Sequence, residues 1–185
     1  MTPGVIAAIG ALIVLALWML GAYNRVIGLR GAIVAAWDAI TPVLGQRADA
    51  VRQLVTLLRE HLVDEKGSFD AALAAQAELD LAVDAAGRRR LGGLPVEPVV
   101  AADAALAGML TRLQSLGEQF AGSAEAALTA EPIRAALSQL AVLATRLRFE
   151  RGRFNEAAAA YNAAIGQFPT RLLAPMFRFE PAARW

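Results

Sequence analysis

The sequence predicts an all-α fold: an N-terminal transmembrane helix followed by an up-and-down four-helix bundle built from long helices. Three observations carry that reading. Residues Gly4–Tyr23 pass twenty positions without a charge. Beyond them, large apolar residues recur at steps of three, four or seven, the spacing of one helical face. No strand-period alternation of comparable strength appears anywhere in the chain.

Composition narrows the function classes. The 185 residues and 19.5 kDa hold one domain and an appendage. With 57% hydrophobic and 19% charged residues the chain is too apolar for a disordered segment, so a packed core is expected. A net charge of +1 gives no global basic field, so no nucleic-acid partner is expected. The absence of cysteine removes disulfides, thiolate metal sites and cysteine nucleophiles, and a lone histidine, His61, removes any multi-histidine centre. Nucleophile motifs, phosphate loops and paired catalytic carboxylates are missing. No catalysis and no cofactor are therefore expected.

The first element is the apolar run. At 1.5 Å per residue, its twenty residues make about 30 Å of helix, the thickness of a bilayer hydrocarbon core. A cleaved secretory leader would carry a basic start and a small-residue cleavage site. Met1, Thr2 and Pro3 supply no basic side chain, and Leu20-Gly21-Ala22 is a poor cleavage signal. An uncleaved span over 1–23 is expected, contacting membrane lipid through residues 4–23, with Trp18 and Tyr23 suited to an interfacial aromatic belt. Arg25 and Arg30 directly after the span predict N-terminus out and the bundle in the cytoplasm.

The first bundle helix follows from the stripe Val26, Ile33, Trp37, Ile40, Leu44, Val51, Leu54 and Leu58, continuous with the span. Pro42 predicts a bend between Asp38 and Pro42, or a full break. A second helix is predicted over 64–86 from Phe69, Leu73, Leu79 and Val83, and the Gly-, Pro- and Arg-rich stretch 87–99 reads as a linker. Val99, Leu106, Met109, Leu110, Leu113 and Leu116 mark a third helix over 98–120. The fourth opens at Glu131-Pro132 and carries the most regular repeat: Ile133, Leu137, Leu140, Ala144, Leu147, Arg151, Phe154, Ala158, Tyr161, Ile165 and Phe168. Pro169 and Pro175 end it.

Up-and-down topology brings the segments after helices two and four to the membrane-proximal end. They hold Arg88, Arg89 and Arg90, and a tail in which Arg171, Arg178 and Arg184 alternate with Leu172, Phe177, Phe179 and Trp185. Arg25, Arg30, Arg88, Arg89, Arg90, Arg178 and Trp185 are the lipid-contact candidates. The competing reading is a solvated loop and a fraying tail.

Asn155 and Asn162 lie seven apart, each after an aromatic stripe residue, where an amide fixes the register of a helix seam or, alternatively, recognises a ligand or partner. Glu60, His61, Asp64 and Glu65 form the one cluster a metal could use, if the four-spaced pairs share a helix face. Solvated capping is the expected reading there, and no metal is predicted. Asp38 is read as polar-face or as a partner for arginine at the bend.

Several of these residues form a pattern in chain order. Tyr23-Asn24-Arg25, Leu29-Arg30, Ala36-Trp37, the run RADAVRQLV from Arg47 to Val55, and Glu65-Lys66 are followed by Phe154-Asn155, Tyr161-Asn162, Ile165 and Phe168-Pro169. The pattern resembles the LemA family of bacterial membrane proteins. The resemblance implies a single N-terminal span, an all-helical bundle and no established catalytic activity, and it marks Tyr23, Asn24, Trp37, Phe154, Asn155, Tyr161, Asn162, Phe168 and Pro169 as a structural motif. The organisation expected is a transmembrane helix over 1–23, a bundle over 24–168 and a membrane-proximal tail over 169–185. The function expected is a scaffold or adaptor at the bacterial inner membrane that binds an unidentified protein partner or lipid, with self-association as a further expectation. The alternatives are a lipid-binding or membrane-shaping module and a membrane-tethered metal-dependent enzyme.

Overall fold

A computed structural model of the chain describes residues 3–88, 96–126 and 129–185. Among the described residues the elements are α1 (Pro3–Arg59), α2 (Lys66–Arg88), α3 (Glu97–Ala121), α4 (Ala130–Gly166) and the short α5 (Thr170–Leu173), with no strand. The predicted all-α architecture is therefore the observed one. Within the bundle α1 packs most extensively on α4 and α2 on α3, while α3 closes against α4.

The apolar run and the first bundle helix are a single helix. The predicted stripe from Val26 to Leu58 is buried at every position, which places one face of α1 in the core. Each such side chain contributes about 1.5–3 kcal/mol when fully buried. Pro42 does not break α1, contrary to the stronger form of the expectation. Its ring lies on the exposed face, where the Asp38 carbonyl deprived of its helical donor can reach water.

A 3₁₀ turn over Val63–Glu65 reverses the chain into α2. Glu65 Oε2 accepts from the Ser68 hydroxyl at 2.7 Å, and Arg112 of α3 donates to both Glu65 oxygens at 2.9 Å, so one carboxylate ties the start of α2 to α3. On α3 the buried residues Val99, Leu106, Leu113 and Phe120 keep a seven-residue repeat, whereas Met109, expected inside, is exposed. Gly117 of α3 packs closely against α4: a Cβ there would stand 3.2 Å from Leu137 Cδ2.

The seam of α4 drifts along its length. Ile133, Ala136, Leu140, Leu143 and Leu147 are buried in its first half, and Phe154, Ala158, Tyr161 and Ile165 in its second. Ala144, placed on the predicted stripe, is exposed because Leu143 takes the inward position. A straight helix turns 3.6 residues per turn and drifts off a strict seven-residue pattern, so the inward position changes along the helix.

After α4 the chain turns through a cis Phe168–Pro169 bond into α5. The following turn closes with the Phe179 N–H donating to the Ala174 carbonyl at 2.9 Å, and Arg178 adopts φ 53°. A six-to-one bond over a left-handed residue is the Schellman arrangement that ends helices. It sends the chain back along the bundle, so that Ala182, Ala183 and Trp185 pack against the core.

Candidate functional site

The early part of α1 and the segment after α4 meet at one end of the bundle. Because α1 and α4 run side by side, the turn that follows α4 reaches back along α1 as far as Trp18, whose ring lies 5.1 Å from that of Phe168. Tyr23, about 7.5 Å further along α1, meets Phe177 at 4.9 Å and Phe179 at 5.9 Å. Four of these five rings come from motif or tail residues singled out in the sequence; Trp18 came from the predicted belt. Asn24 and Arg25 are exposed beside them, and Arg30 is half-buried.

The motif asparagines hold the returning tail. Asn162 Nδ2 donates to the Ala182 carbonyl and the Ala182 N–H donates to Asn162 Oδ1, both at 2.8 Å. Asn155 repeats the pattern on Trp185, with Nδ2 donating to the main-chain O at 2.9 Å and the Trp185 N–H donating to Oδ1 at 2.8 Å. Each amide thus supplies the donor and acceptor that a neighbouring strand would supply, two turns of α4 apart. Read from sequence as residues of a helix seam, they instead satisfy the backbone of an irregular segment, whose buried polar groups need partners. Tyr161 between them is buried, and burial pushes its phenol pKa up, with Arg30 opposing and Glu180 adding to the rise.

The tail ends on a buried ionic brace. Asp103, 8% exposed, accepts from Arg47 at 2.6 Å through Oδ1 and from Arg151 through Oδ2; Arg47 is 7% exposed. Arg47 belongs to α1, Asp103 to α3 and Arg151 to α4, so one carboxylate joins three helices. Burial pushes the Arg151 pKa down from its ordinary value, Asp103 opposes, and the Arg47 charge adds to the fall. The excess positive charge meets an aromatic face: Arg151 Cζ lies 4.7 Å from the centre of the Trp185 ring, which itself packs on Trp37 at 6.1 Å. Trp37 also meets Phe154 edge-on at 6.4 Å. Each oxygen of Asp103 accepts from one guanidinium, so the carboxylate is committed to bracing the bundle. Sequence reading did not single out Asp103. The signal was present, since Asp103 lies between Val99 and Leu106 on one apolar stripe while Arg47 and Arg151 interrupt two others.

The lipid-contact candidates separate into two groups. Arg25, Arg178 and the half-buried Arg30 lie at the end where α1 leaves the bundle. Trp185 does not: packed against Trp37, it stands about 21 Å along α1 from Tyr23. Arg88 is also remote. Asp80 of α2 pairs with Arg52 at 3.5 Å and α2 ends eight residues later, near the level of Leu44, about 30 Å from Tyr23. A helix of 23 residues is too short to return to a surface left by one of 57. Arg89 and Arg90 lie outside the described residues.

At the opposite end, α1 finishes at Arg59, so Glu60, His61 and Asp64 do not share a helix face, a correction to the geometry a metal would need. His61 stacks on Phe120 at 4.8 Å and Glu65 is committed to Ser68 and Arg112. Among the described residues no group of three or more His, Cys, Asp or Glu side chains is placed to hold a metal. A shallow groove between α1 and α2 is lined by Arg52, Val55, Thr56, Arg59, Glu60 and Leu73, but its arginines are paired with Asp49, Asp80 and Asp70. Asp38 lies on the exposed face of α1.

The first part of α1 meets the length and hydropathy of a membrane span, with a mean hydropathy of 2.6 and none of that window buried against the bundle. No match was found among curated proteins or among solved structures. The sequence model of the LemA family matches residues 36–185, which takes in the bundle from Ala36 onward, both tail-holding asparagines and the whole tail, and the chain belongs to the LemA family.

Proposed function

We propose that this chain is a single-pass membrane-anchored helical scaffold, with residues 4–23 in the bilayer and the bundle presented on the cytoplasmic side to a protein partner, without a catalytic role. The observation that supports it is the character of α1. Its first third is apolar and unburied, its remainder carries the core, and the helix is continuous from Pro3 to Arg59. A helix continuous across the membrane boundary transmits the position of the anchor to the bundle without a flexible joint. Phe168 and Phe177, beyond α4, pack on Trp18 and Tyr23 of the same helix, and the tail held by Asn155 and Asn162 of α4 packs its Trp185 on Trp37, so the bundle is oriented as well as tethered.

Protease treatment of spheroplasts carrying the full chain, combined with alkaline carbonate extraction of their membranes, tests the anchor and its direction. The chain is expected to stay with the membrane, and its bundle to be cut only after the membrane is opened. Release by carbonate overturns the anchor, and digestion in intact spheroplasts overturns the orientation. Crosslinking within the membrane is expected to trap the bundle against a defined protein. A bundle that crosslinks to nothing, in native membranes at native abundance, overturns the scaffold reading.

A further inference from the structure

Large apolar side chains remain exposed on the bundle in one concentrated place. Phe168 is 67% exposed, Leu172 69% and Met176 73%, with Phe177 also exposed beside them. The other exposed large apolar residues of the described bundle beyond Ile27 are scattered singly, at Val63, Leu81, Met109, Val142 and Phe149. A concentrated apolar patch on a surface marks a contact, whereas scattered residues do not.

Its position identifies what it meets. Phe168 touches Trp18, and Trp18 lies within the charge-free run Gly4–Tyr23. Gly4 to Trp18 is about 21 Å of helix, and the run reaches the roughly 30 Å of a hydrocarbon core only by continuing to Tyr23. A bilayer that takes the whole run therefore extends past Trp18, to the level where Phe168 and Phe177 flank α1. Those rings cannot stand clear of lipid if Tyr23 is at its edge. Arg25, Arg171 and Arg178 are exposed around the same level, placed for anionic headgroups.

We propose that residues 168–177 form a second membrane contact, inserted at the interface of the leaflet from which α1 emerges. Phe168, Leu172, Met176 and Phe177 enter the boundary between headgroups and acyl chains, and the arginines face the phosphates. The depth required, about 8 Å between the levels of Trp18 and Tyr23, is that of an interfacial amphipathic element. The inference rests on the anchor reading above and adds that the bundle stands directly on the bilayer at the end where α1 emerges, through α1 and through the segment that follows α4, with no exposed stalk.

The chain lacks cysteine, so single spin labels report single sites. Leu172→Cys and Met176→Cys probe the proposed contact, Leu12→Cys probes the span, and Phe149→Cys, on α4 about 28 Å from Phe168, probes the aqueous bundle. All four residues are exposed, so labelling them leaves the core intact. The full chain is reconstituted into phosphatidylcholine–phosphatidylglycerol bilayers, and collision of each label with oxygen and with a water-soluble nickel chelate is measured. Labels at 172 and 176 are expected to shift toward oxygen, between the values at 12 and 149. If 12 reads as lipid while 172 and 176 match 149, the second contact is overturned and the anchor stands. If 12 itself reads as aqueous, the anchor is overturned and the contact with it.

Discussion

Removing the carboxylate at position 103 is the most informative change to the bundle, because the brace it centres is asymmetric. Asp103 is the single anion between two guanidinium groups, and its side chain and that of Arg47 are both buried. Asp103→Ala leaves Arg47 charged, buried and without its partner, a change that costs about 3–5 kcal/mol in comparable sites. It also releases Arg151, which is more exposed and retains the Trp185 face. Arg47→Met is milder: Asp103 keeps Arg151, and an apolar side chain of similar reach replaces a buried charge, so about 1–2 kcal/mol is expected. Replacing all three with Met, Leu and Met leaves no unpaired charge and is expected to recover most of the loss. Against the 5–15 kcal/mol typical of a folded domain, these differences are resolvable as urea midpoints of the full chain in mild detergent micelles, followed by tryptophan fluorescence. Arg47→Met costing as much as Asp103→Ala, or the triple variant being the least stable of the series, would refute the reasoning.

Three further outcomes follow from single sites. Asn162→Ala removes two hydrogen bonds of about 1 kcal/mol each and strands the Ala182 main chain, so amide exchange at Ala182 and Trp185 should accelerate by one to two orders of magnitude, while amides at the core of α1 are unchanged; Asn155→Ala should do the same at Trp185 first. Gly152 has open space where a Cβ would stand and Gly117 does not, so Gly152→Ala should raise stability by about 0.5–1 kcal/mol in thermal melts and Gly117→Ala should fail to gain it. Glu65 is held below the usual carboxylate range first by the Ser68 hydroxyl and then by Arg112. A depressed carboxylate stabilises the fold above its unfolded value and loses that contribution as pH falls through the folded one. The tie between α2 and α3 should therefore weaken below about pH 4.5, and Glu65→Gln should flatten that part of a stability–pH curve measured by urea midpoints.

The helices were legible because their large residues keep a helical period over many turns. The stripe from Val26 to Leu58 needed no tertiary knowledge, since a 3.6-residue period with seven-residue returns leaves one face to bury. The clasp was not legible in the same way. Periodicity placed Asn155 and Asn162 on one face of α4 but carries no information about what covers that face, and the covering tail, interrupted by Pro175 and Pro181, has no period of its own. Trp185 and Arg88 were assigned to the membrane by topology alone. Topology gives the direction of a helix but not the level at which it stops, and that level is set here by a 23-residue α2 and by hydrogen bonds made 20 and 30 residues back along the chain. The brace stood in the sequence as three charges on three apolar stripes, a pattern that says each is paired without saying with which.

All of this depends on α1 being one helix from lipid to core. The distance between spin labels at Ile13→Cys, in the span, and Gly45→Cys, on the exposed face of α1 three residues past Pro42, measures it directly by pulsed dipolar spectroscopy of the full chain in nanodiscs. Thirty-two residues of uninterrupted helix place the two sites about 48 Å apart, and a narrow distribution near that distance is the predicted result. A broad distribution, or a mean shorter by 10 Å or more on the same scale, would mean a joint between anchor and bundle and would contradict the account.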